Sequence, residues 1–72
     1  MGVTEDIADD LAKQALKIEA ETGDEKVVDK VSEILGASSQ TTQEAYLTSV
    51  RVRRAELRAR TYLADVVQKT KD

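Results

Sequence analysis

Apolar side chains recur early in the chain at Ile7, Leu11, Ala15 and Ile18, with Thr22 extending the row at steps of four, four, three and four. That is the 3.6-residue period of an amphipathic helix, and Ala8, Ala12 and Leu16 widen its stripe. The pattern predicts a first helix over 4–22. Thr4 is its expected N-cap, Glu5 and Asp6 complement the dipole of its first turn, and Gly23 ends it. Asp24 then caps a shorter second helix over 25–35, with Val27, Val31 and Ile34 on one face beside Val28 and Leu35, and Gly36 as its stop. The polar stretch Ala37-Ser38-Ser39-Gln40 predicts a loop. Beyond it Thr41 and Glu44 have the spacing of a capping box. No breaker follows, so a third helix is expected over 41–70, a rod more than about 40 Å long at 1.5 Å per residue. The expected fold is all-α, a three-helix module with two short N-terminal helices packed on one long C-terminal helix.

The third helix carries two apolar faces. At 100° per residue, Tyr46, Val50, Leu57, Leu63, Ala64 and Val67 gather on one side. Val52, Ala55, Ala59, Tyr62 and Val66 gather opposite, with polar strips between. The first two helices are too short to wrap both sides of such a rod. Tyr46, Val50 and Leu57 are therefore expected in the intrachain core. The stripe Val52, Ala55, Ala59, Tyr62 and Val66 is expected to meet a second copy or another protein. The chain has nineteen Val, Ile, Leu and Tyr residues in 72, a thin core for a domain with no staple, which points the same way.

Composition narrows the chemistry. Cys and His are both absent, so disulfides, thiolate or imidazole metal sites and Cys- or His-dependent nucleophilic catalysis lie outside its repertoire. There is no Trp or Phe to stack single-stranded bases. No apolar run exceeds three residues, far short of a membrane span. The expectation is a cytoplasmic, non-enzymatic protein with no cofactor, no metal and no small-molecule substrate. Glu5, Asp6, Asp9 and Asp10 are read as solvated charge and dipole complement rather than cation ligands.

Charge is unevenly distributed. Residues 1–36 carry ten acidic side chains against four lysines, whereas residues 37–72 carry four acidic against seven basic. All five arginines lie between Arg51 and Arg60. They are suited to pairing with the acidic helices of the same chain or of a second subunit, or to holding phosphates.

The stretch from Val31 to Tyr46 resembles a helix-turn-helix DNA-binding motif. Val31 and Ser32 supply an apolar and then a small residue, Leu35-Gly36 the turn, and Ser38 and Thr41 the opening of the recognition helix. Thr42, Ala45 and Ile34 depart from the motif. The resemblance implies a DNA-binding regulator or packaging accessory, with Ser39, Gln40 and Gln43 at base edges and Arg51, joined by Arg54 and Arg58, near phosphate. Leu35-Gly36-Ala37-Ser38-Ser39 also looks like the serine site of acyl carrier proteins, which would make Ser39 a phosphopantetheine attachment point.

Overall fold

The computed structural model describes residues 2–71, which form three helices, α1 (Val3–Thr22), α2 (Lys26–Ser38) and α3 (Gln40–Lys71). The expected all-α module is the observed one: the long third helix packs against the two shorter ones. At 52 × 29 × 13 Å the molecule is two helix layers thick, as long as α3 and open on one side. Its radius of gyration, 14.8 Å, exceeds the roughly 11 Å of a compact chain of this length. The excess arises in α3, where every residue from Ala55 to Lys71 is exposed.

The helix ends follow local hydrogen-bonding chemistry. α1 begins one residue before the expected start. Its N-cap is Gly2 rather than Thr4, and the Gly2 N–H donates to Glu5 Oε2 at 3.1 Å. Gly23 closes α1 in the left-handed region at φ 76°, its N–H donating to the Glu19 carbonyl at 2.8 Å. A side chain there would clash with its own backbone, which is why glycine occupies the turn. Asp24 Oδ1 then accepts the Lys26 N–H at 3.0 Å, opening α2.

The junction between α2 and α3 is tighter than the sequence suggested. α2 runs through Gly36 to Ser38, so the expected loop over 37–40 shrinks to Ser39 alone. Ser39, not Thr41, caps α3: its Oγ accepts the Thr42 N–H at 3.1 Å and pairs with the Thr42 hydroxyl at 3.0 Å. The cap of α3 thus lies two residues before the one expected from Thr41 and Glu44, and it is a single N-cap bond rather than a reciprocal box.

Gly36 is not a stop. It lies in the helix where a β-carbon would run into the Gln43 amide. That amide donates to the Ser32 carbonyl at 3.0 Å and the Ser32 hydroxyl at 3.3 Å, tying α3 to α2. Replacing Gly36 by Ala should therefore change stability little. Its helix-propensity gain of about 0.5–1 kcal/mol is offset by displacement of Gln43. In a Gln43→Ala background the same change should stabilise by that full amount. Paired urea melts measure the coupling.

The core is small. Ala8, Ala12, Ala15, Val28, Tyr46 and Val50 are buried, with Leu11, Leu16, Val27, Val31, Leu35, Ala45 and Leu47 packed around them. On α1 the buried row is the alanine row rather than the one through Ile7 and Ile18, both of which stay substantially exposed. Alanines at steps of four and three let α1 come close to α3, leaving the isoleucines at the margin of the contact. Ile34 is exposed on α2 for the same kind of reason, Val28 taking the inward position. Tyr46 is fully enclosed and donates its hydroxyl proton to the Val28 carbonyl at 2.8 Å, joining the two layers. Burial is the main force raising the Tyr46 pKa above the usual phenol value, with the nearby Asp29 carboxylate adding to it. Leu57, expected in this core, is 66 % exposed. It sits at the open edge of the α1–α3 contact beside Lys13 and Leu16. No helix among the described residues is long and apolar enough to cross a membrane.

Candidate interaction surface

Two of the five arginines fasten the layers together. Arg53 donates from Nε and a terminal nitrogen to the two carboxylate oxygens of Asp9, at 3.0 and 2.8 Å. Arg54 grips Glu19 in the same two-pronged manner, at 3.0 and 3.1 Å. Asp9 and Glu19 are ten residues apart, about 15 Å along α1, so adjacent arginines pin α1 at two separated points. The fork of guanidinium donors suits this double grip better than an ammonium would. A third pair, Arg60 to Glu56 at 2.9 Å, lies along α3 itself.

The Arg53 hydrogen bonds are the largest influence holding the Asp9 carboxyl below its usual pKa. A lowered folded-state value contributes stability above the unfolded pKa, near 3.8, and that contribution is lost as pH falls through the folded value. A carbon-detected NMR titration should place the Asp9 midpoint below the ordinary aspartate value. Arg53→Gln should move it up. An unchanged midpoint would detach the two groups in solution. Elsewhere in the acidic run Asp10 accepts from Gln14 at 2.8 Å and Glu5 accepts from the Gly2 N–H at the cap.

The residues marked for DNA or anion contact divide. Gln43 is half-buried on Ser32, Ser39 is spent on its cap, and Arg54 is held by Glu19. Gln40, Arg51 and Arg58 are exposed, and neither arginine makes an ion pair within the chain among the described residues. The six thus form no single continuous surface.

The five residues marked for a protein interface stay together. Val52, Ala55, Ala59, Tyr62 and Val66 are all exposed, with 62 %, 67 % and 41 % of Val52, Tyr62 and Val66 open to solvent. At 100° per residue they lie within about 80° of one another, on the side of α3 turned away from Tyr46 and Val50. α1 and α2 cover that opposite side, and no residue of α3 past Arg54 is even half-buried by them. Leu63 borders the stripe and is itself 60 % exposed. Leu63 therefore belongs beside this stripe and not with Tyr46 and Val50, the face on which the sequence pattern groups it. Its signal was present in the steps of three, four, three and four from Val52 to Val66, a heptad seam that Leu63 flanks.

Against protein-family models, curated proteins and solved structures, the chain has no significant match.

Proposed function

We propose that this chain is a small non-enzymatic helical module whose working surface is the solvent side of α3, through which it associates with itself or with another protein. One observation carries the reading. Seventeen consecutive residues of α3, Ala55 to Lys71, are all exposed while bearing a continuous apolar stripe. An isolated helix of about 12–15 residues is marginal in water, and such a stripe on a free rod is a docking surface in search of its complement. The helix-turn-helix alternative draws less support, because Gln43 and Arg54 are occupied within the chain.

A photoreactive phenylalanine analogue at Tyr62, compared with one at the exposed Lys17, tests the reading in the cell of origin. Adducts are expected at Tyr62, with the chain itself or another protein, and few at Lys17. Ala59→Arg should abolish them. Equal yields at both positions, or adducts indifferent to Ala59→Arg, would overturn it. A mobility shift of duplex DNA at about 50 mM salt, where phosphate contacts are strong, would instead favour the nucleic-acid reading.

A further inference from the structure

We infer that the occupant of this stripe is a second copy of the chain, lying antiparallel along α3 and centred between Arg60 and Thr61. The inference rests on the reading of the stripe as the working surface, and adds the partner and its register. In an antiparallel pair of helices the seam positions of one chain face the alternate seam positions of the other. With this centre, Ala59 faces the partner's Tyr62 and Ala55 faces the partner's Val66. Every small residue of the overhanging seam therefore meets a large one, and the two alanines admit the larger side chains without a void.

Charge selects the same arrangement. Arg58 and Asp65 flank the seam on one side; both are exposed, and neither has an ion-pair partner within its own chain among the described residues. In this register Arg58 faces the partner's Asp65, and the symmetry makes the pair twice. On the other flank Glu56, already held by Arg60 at 2.9 Å, lies against the partner's Leu63. No like charges oppose. A slide of one heptad in one direction sets Arg58 against the partner's Arg58 and Glu56 against the partner's Glu56. The opposite slide sets Asp65 against the partner's Asp65. A parallel pair stacks alanine on alanine and tyrosine on tyrosine, and leaves Asp65 without a cation. α1 and α2 lie on the far side of α3 and do not obstruct the antiparallel pair.

The full chain, which contains no cysteine, accepts spin labels at Thr61→Cys or Lys71→Cys for pulsed dipolar spectroscopy. In the antiparallel pair the two residue-61 labels stand almost level, while the residue-71 labels are offset by about 30 Å along the axis at 1.5 Å per residue. The residue-71 distance should accordingly be much the longer. Arg58→Glu should weaken the dimer about tenfold, and Arg58→Glu with Asp65→Arg should restore it to within about threefold. Equal distances at both positions would establish a parallel pair and overturn the inference, as would failure of the charge exchange to rescue. A chain that stays monomeric at about 100 μM also overturns it. If that monomer still forms Tyr62-dependent adducts with a different protein, the working surface stands and only the second copy falls.

Discussion

Tyr46→Ala is expected to lose about 3–5 kcal/mol, the usual cost of removing a buried aromatic ring. A 72-residue domain has roughly 4–11 kcal/mol of stability in all, so the variant loses a large share of it. Tyr46 is the only large side chain fully enclosed among the described residues, and it touches both layers of the molecule. Tyr46→Phe separates ring from hydroxyl. It keeps the packing and removes only the hydrogen bond to the Val28 carbonyl, a loss of about 0.5–1.5 kcal/mol. Urea melts followed by circular dichroism at 222 nm should rank the proteins in that order. A Tyr46→Ala protein as stable as the parent would mean that the α2–α3 contact contributes nothing.

Ala12→Leu should be the next most damaging change. Ala12 is completely buried between Ala8 and Ala15 in the seam that α1 presents to α3. Extra methylenes have nowhere to go unless the helices separate, which costs typically about 1–3 kcal/mol. Separation would also strain the Arg53–Asp9 and Arg54–Glu19 grips, which span the same contact. The melting midpoint should fall by on the order of 10 °C for a domain of this size. Gln14→Leu, on the exposed side of α1, is the matched control and should stay within about 0.5 kcal/mol. Equal midpoints for the two leucine variants would contradict the alanine seam.

Much of this architecture is legible from periodicity and punctuation. Gly23 and Asp24 mark a real turn, and the lack of any breaker after Thr42 forecasts the uninterrupted rod. Gly36 misleads because a glycine has two uses that look alike in sequence. It can end a helix, or it can lie within one and let a neighbouring side chain approach, and only the position of Gln43 tells which. Ala8 and Ala12 read from sequence as the margin of a stripe centred on Ile7, Leu11, Ala15 and Ile18, because hydrophobic patterns weight large residues. The spacing between α1 and α3, a tertiary property, reverses that order. Leu57 lies on the inward side of α3 by angle, but at a height where the cover gives out. Helical periodicity reports angle and is silent about how far the neighbouring helix extends.

The stripe on α3 was legible for the opposite reason: it depends on no neighbour. The arginine cluster was legible only as a charge imbalance. That Arg53 and Arg54 turn inward to Asp9 and Glu19, leaving Arg51 and Arg58 beside the stripe, needs the position of α1.

The measurement that bears most directly on that stripe is amide hydrogen exchange along α3, from dilute to concentrated protein and with extract of the cell of origin. An uncovered rod frays and exchanges quickly, whereas a covered one is protected. The amides from Ala55 to Val66 should gain protection as concentration rises or as extract is added, and Ala59→Arg should erase the gain. Rates in that segment that stay the same under every condition, and match those of Ala59→Arg, would contradict the account.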